Sequence, residues 1–130
     1  MGINAILTPA DLMGREIPTG WYPAEITKYE EAVTKGTEAK PSDGSTNAIF
    51  YFTILDGPAK GREIRRYFNE KYMGMGKNLW PLIIPGFSAG KGGVPVNTEN
   101  MTASVGKKLK IYVKKGTNGF DSVEDFQPLS

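Results

Sequence analysis

Residues Asn47–Asp56 alternate with period two and are largely apolar on both parities, with Phe50, Phe52 and Ile54 on one side and Ile49, Tyr51, Thr53 and Leu55 on the other. A helix of 3.6 residues per turn would scatter these side chains around its axis, whereas a strand sorts them onto two faces. Since neither face is polar, the segment fits a strand inside a sheet rather than at its edge.

The same period recurs along the chain. Trp21–Tyr29 places Tyr22, Ala24 and Ile26 against Glu25, Thr27 and Tyr29. Pro23 donates no amide hydrogen, so this stretch is expected at an edge or bulge. Arg62–Asn69 sends Ile64 and Phe68 inward and Arg65 and Tyr67 outward. Arg66 falls on the inward parity, which predicts a bulge there or a place at the mouth of a barrel. Lys107–Lys115 sets Leu109, Ile111 and Val113 against Lys108, Lys110, Tyr112 and Lys114, and Phe120–Phe126 reads as a fifth strand.

The connections carry their own signals. Residues 30–46, rich in Thr, Lys, Glu and Gly, read as a long hairpin loop, a length uncommon without function or disorder. Asp56-Gly57-Pro58 opens a turn closed by Gly61, and Gly116–Gly119 is a tight turn. Gly74-Met75-Gly76 is hinge-like. Asn78 is the expected cap of a short helix with Pro81 in its first turn and Trp80 in the core. Residues 88–96 form a Gly-rich loop, and Thr98–Val105 holds a further turn of helix. Residues 1–19 read as a leader with one helical turn after Thr8 and Pro9. The resulting order predicts a mainly β domain over residues 20–130, a five-stranded antiparallel OB-fold barrel with a short helix between strands 3 and 4. An SH3-like barrel is the main competitor, but it lacks a helix at that position.

Charge is segregated along the chain. Residues 57–116 hold twelve basic residues against Glu63, Glu70 and Glu99, an excess of nine positive charges in a chain of net +2. That asymmetry predicts a face for a polyanion. Tyrosines among the cations add stacking surface for bases, so the expected partner is single-stranded nucleic acid. With the ligand face on strands 2 and 3 and the fourth strand expected near the third, Tyr51, Arg65 and Tyr67 form the stacking platform. The strongest constellation is the outer face of the fourth strand, Lys108, Lys110, Tyr112 and Lys114; Lys60 and Arg62 stand at the edge of the platform, and Arg66, Lys71, Tyr72 and Lys77 complete the set. Lys35, Lys40 and Lys91 would help from the flanking loops. Trp21 is expected opposite Tyr22, either stacking on a base or packing under the leader.

Several chemistries are excluded or disfavoured. The chain has no histidine and no cysteine, so imidazole-based triads, thiolate zinc sites and disulfides are absent. Gly86–Gly92 imitates a phosphate-binding loop but has three residues between its first glycines instead of four, and Gly92 stands where Ser or Thr should hold magnesium. Gly74-x-Gly76 lacks a third glycine. Asp121, Glu124 and Asp125 could hold magnesium for a nuclease, although a solvated strand end is the simpler reading. No cofactor or metal is expected, and no apolar run reaches the length of a membrane span. The expected location is cytoplasmic.

Gly20-Trp21-Tyr22-Pro23-Ala24-Glu25-Ile26, Phe50-Tyr51-Phe52-Thr53-Ile54, Gly61-Arg62 and Gly106-Lys107-Lys108-Leu109 together resemble a family of small bacteriophage single-stranded DNA-binding proteins with an OB fold, over roughly residues 20–128. The resemblance implies a non-enzymatic role coating single strands in phage replication or recombination, in the host cytoplasm. Replication or recombination proteins would be its partners, and a homodimer is left open. Where bacterial single-strand binders typically carry a long acidic tail, Asp121, Glu124 and Asp125 precede Gln127-Pro128-Leu129-Ser130. The alternative is an OB-fold interaction adaptor in a phage replication or structural complex, using the acidic first third and Trp21 as its contact surface.

Overall fold

Five antiparallel strands, β1 (Gly20–Val33), β2 (Thr46–Ile54), β3 (Glu63–Asn69), β4 (Lys108–Lys115) and β5 (Asp121–Gln127), form one sheet in the order β3-β2-β1-β4-β5. The structure is a computed structural model and describes residue 2 and residues 17–34, 43–84, 96–115 and 121–129. Between β3 and β4 lie a 3-10 segment (Glu70–Gly76) and two short helices, α1 (Trp80–Ile83) and α2 (Thr98–Ala103). The leader's helical turn, residues 35–42 of the 30–46 loop, residues 88–95 of the Gly-rich loop and the Gly116–Gly119 turn fall outside the described residues.

The periodicity places the inner face correctly. Phe50, Phe52, Ile54, Ile64, Phe68, Leu109, Ile111, Val113, Val123 and Phe126 are all buried in one core. Trp80 joins them from α1, its ring 5.1 Å from Phe68 and 6.0 Å from Phe50, and its Nε1 donates to the Met73 carbonyl at 2.8 Å. Ile17 and Tyr22 close the same core near the start of β1, where the Tyr22 hydroxyl donates to the Pro18 carbonyl at 2.6 Å.

β1 differs most from expectation. It runs four residues past Tyr29, and Thr27 is an extra residue against β2, since Ile26 faces Phe52 and Lys28 faces Tyr51. The bulge reverses the phase, turning Tyr29 inward onto Phe50 with ring centroids 4.9 Å apart. Nor is β1 an edge strand. Pro23 is tolerated because its carbonyl, and hence its nitrogen, faces the end of β2, where Leu55 N donates to that carbonyl at 2.8 Å.

Two further expectations are corrected. No bulge occurs at Arg66: β2 and β3 pair in unbroken register, with Arg66 opposite Phe50. The fourth strand does not lie near the third. β4 pairs with β1 and β5, because the first half of the long β1 serves β4 and the second half serves β2.

The sheet curls without closing into a barrel. Phe68 on β3 and Phe126 on β5 approach to 6.3 Å, yet no ladder joins these strands among the described residues. Asn78 does not cap α1, whose N-cap is Leu79; its side chain instead donates to Asp125 Oδ1 at 2.8 Å, tying the helical region to β5. Among the described residues no helix is long and apolar enough to cross a membrane.

Candidate nucleic-acid interface

Where β3 runs into the 3-10 segment, Arg66, Tyr67, Phe68, Asn69, Tyr72 and Met75 line an open cleft of about 250 Å³. The strand's alternation carries Tyr67 outward. A kink at Tyr72 (φ −129°, ψ 36°) breaks the helical path there, and its side chain stands in solvent. Tyr67, Tyr72 and Met75 are 47%, 66% and 69% exposed, so apolar ring and thioether surface faces solvent on one side of the molecule.

Asn69 holds this corner together. Its Oδ1 accepts from Lys71 N at 3.0 Å, and its Nδ2 lies 2.8 Å from Ser45 Oγ and 3.0 Å from Asn47 Oδ1. One residue thus caps the 3-10 segment and fastens it to the base of the β1–β2 connection. Arg66 crosses the inner end of the cleft with its guanidinium 4.5 Å from the Phe68 ring centre, and its Nη1 donates to the Tyr67 carbonyl at 2.9 Å. Among the described residues its Nε is buried without a hydrogen-bond partner. Burial pulls its pKa below the ordinary arginine range, while Glu124 across the β3–β5 gap opposes that pull.

The platform expected from Tyr51, Arg65 and Tyr67 is only half present. These residues do share the outer face, in adjacent rows of the β2–β3 ladder. Tyr51, however, is only 6% exposed: the Arg65 guanidinium lies 4.9 Å from its ring centre and the Lys28 ammonium 5.2 Å away. Its hydroxyl donates to Glu30, which holds the Glu30 carboxyl below its usual range and pushes the Tyr51 phenol up. The ring is therefore already covered by two cations and offers no face to a base. The neighbouring Tyr67 hydroxyl raises the Arg65 guanidinium above its ordinary range, so Arg65 sits between two tyrosines.

The other sites divide by position. Lys71 is exposed but 2.7 Å from Asp43, a half-exposed pair worth little in stability. Lys77 is exposed at the end of the 3-10 segment. Lys60 and Arg62 belong to the β2–β3 turn, at the far end of β3 from Tyr67 and roughly 15 Å along the strand. Lys110, Tyr112 and Lys114 lie on the outer face of β4, where Trp21 packs against Tyr112 in a tilted pair with centroids 5.3 Å apart. Followed through β1, from its Trp21 end to its Glu30 end, this group is on the order of 30 Å from Tyr67. The curl that brings Phe68 to 6.3 Å from Phe126, the partner of Ile111, offers a shorter path across β5. The structure thus gathers Arg66, Tyr67 and Tyr72, keeps Arg65 beside them, and leaves β4 apart. Lys35, Lys40 and Lys91 lie outside the described residues.

Met75 and Lys28 were missed as interface residues. Met75 sits between two glycines that signal a hinge and nothing about a wall, and the approach of Lys28 to Tyr51 depends on the Thr27 bulge. Asp121, Glu124 and Asp125 form no metal-holding cluster among the described residues.

A family model described as "Protein of unknown function (DUF669)" matches residues 12–130, and the chain belongs to that family. No curated protein matches it.

Proposed function

We propose that this member of a family of unknown function is a non-enzymatic, largely sequence-independent binder of single-stranded DNA, on an OB-type barrel left open between β3 and β5. The five strands, the helical segments between β3 and β4, and a candidate cleft bounded by β3 are the features that support an OB-type reading. A role in coating single strands during phage replication or recombination follows from the resemblance noted above.

The observation that carries the reading is the pair of exposed tyrosines, Tyr67 and Tyr72, flanking one cleft beside Arg66. A tyrosine face stacks on any base and contributes about 1–3 kcal/mol, so changing either to Ala weakens binding roughly 5- to 150-fold. Lys77 and, on giving up Asp43, Lys71 neutralise phosphates beside the cleft, giving a log–log salt slope of about −0.7 per phosphate contacted.

Fluorescence anisotropy with labelled oligo-dT and a duplex of equal length, at two salt concentrations, tests this. The expected result is a clear preference for the single strand, lost in Tyr67→Ala/Tyr72→Ala. Equal affinity for both ligands, or no effect of the two changes, defeats it. A second reading, an interaction adaptor, is favoured by β3 and β5, each of which pairs along one side only among the described residues and so leaves an edge for strand addition. Binding that ignores salt and oligonucleotide but captures a protein partner would select it.

A further inference from the structure

We infer that the outer face of β4 is a second single-strand contact, separate from the cleft, so that one chain holds two single-stranded segments at once. The inference rests on the single-strand reading above, and the observations that carry it are its own.

Lys108, Lys110 and Lys114 alternate with the buried Leu109, Ile111 and Val113, which fixes all three ammonium groups on the outer face. Among the described residues, none of the three forms a salt bridge. Three of the cations near the cleft are engaged by contrast, Arg65 over Tyr51, Arg66 over Phe68 and Lys71 with Asp43, while Lys77 stands exposed. Trp21, 39% exposed and packed at a tilt against Tyr112, supplies aromatic surface in the middle of the lysine row. Cations without a salt bridge among the described residues, set around one exposed indole, match the phosphates and bases of a single strand.

The two surfaces are fenced apart by acids. Glu63, Thr53 and Glu25 occupy one cross-strand row over β3, β2 and β1. Glu30, further along β1, is paired with Lys28 at 3.5 Å and adds little to this barrier. A phosphate chain leaving the cleft over β2 and β1 would meet Glu63 and Glu25, and one crossing the shorter β3–β5 gap would meet Glu124, which faces Arg66, and Asp125, opposite Tyr112. The strand on β4 is therefore a different molecule, or a distant segment of the same one, and the protein brings the two together.

The test uses two short oligo-dT probes, one carrying a donor dye and one an acceptor, with the full-length chain. The expected result is two probes bound per chain at saturation, and energy transfer that rises with protein and falls again when protein is in excess. In Lys110→Glu/Lys114→Glu the stoichiometry falls to one and transfer disappears, with the oligomeric state by light scattering unchanged. If that variant does not fold, Lys110→Gln/Lys114→Gln takes its place with the same expectation. One probe per wild-type chain overturns the inference. So does transfer that survives the β4 changes, or transfer that vanishes only with a change in oligomeric state, as bridging by a second copy would give. Wild-type protein that binds no probe at all defeats the single-strand reading itself, a result distinct from the other three.

Discussion

Gly76 closes the 3-10 segment directly against the Trp80 ring, and replacing it by Ala should be among the more damaging single-methyl additions in the chain. A Cβ on Gly76 would lie 2.4 Å from Trp80 Cζ2, 2.6 Å from Cε2 and 3.0 Å from Cη2. Ordinary carbon–carbon contact is about 3.5–4.0 Å, so the ring must retreat by about 1 Å. It has nowhere to go: Trp80 is buried between Phe50 and Phe68 and tethered through Nε1 to the Met73 carbonyl. Overpacking of this kind costs about 1–3 kcal/mol, and loss of the indole hydrogen bond adds about 0.5–1.5. The reduced freedom of Ala in the unfolded chain returns at most about 1 kcal/mol. The net expectation is a loss of about 2–3 kcal/mol, read as a drop of roughly 1–2 M in urea midpoint at unchanged slope. Adding Trp80→Phe to the Gly76→Ala background should cost less than Trp80→Phe alone, because the smaller ring relieves the clash. A midpoint equal to wild type, or strict additivity of the two changes, refutes the steric argument. Because the same segment carries Tyr72 and Met75, Gly76→Ala should also weaken oligonucleotide binding.

Three other outcomes follow from the geometry. Asn69→Ala removes the cap of the 3-10 segment together with the amide that reaches Ser45 and Asn47, and should lower stability by about 1–3 kcal/mol in chemical denaturation. Lys71 and then Ser45 hold the Asp43 carboxyl well below the usual carboxylate range. That stabilisation is present above the unfolded pKa of about 3.9 and fades as pH falls below it. The difference in midpoint between wild type and Lys71→Gln should therefore be small at neutral pH and shrink further in acid; a difference that grows in acid contradicts the assignment. Tyr51→Phe keeps the ring under Arg65 and Lys28 and loses only the hydroxyl to Glu30, so oligonucleotide affinity measured by anisotropy should stay within about twofold of wild type.

The strands were legible because their inner faces obey a strict two-residue period. Phe50, Phe52, Ile64, Phe68, Leu109 and Ile111 all point where alternation sends them. Tyr29 does not, because one inserted residue at Thr27 reverses the phase and nothing in the local sequence marks the insertion. The end of β1 was hidden for a related reason: Glu30 and Glu31 look like loop residues, but Glu31 sits at an open end of the core, accepting hydrogen bonds from Tyr29 and Thr98. Strand neighbours were not legible at all. Alternation sets which side of a strand is wet, and says nothing about which strand lies beside it. The placement of β4 beside β1 moved Lys110, Tyr112 and Lys114 away from Tyr67. Tyr51 illustrates a third limit: its outward direction was read correctly, and its cover by cations from two other strands was not.

The stacking of bases on Tyr67 and Tyr72 is tested most directly by photo-crosslinking an iodouracil-substituted single strand to the protein and locating the adducts by peptide mass spectrometry. Adducts on Tyr67 or Tyr72, competed away by unlabelled oligo-dT and not by duplex, are the predicted result. Efficient crosslinking at saturation with neither tyrosine modified would contradict it.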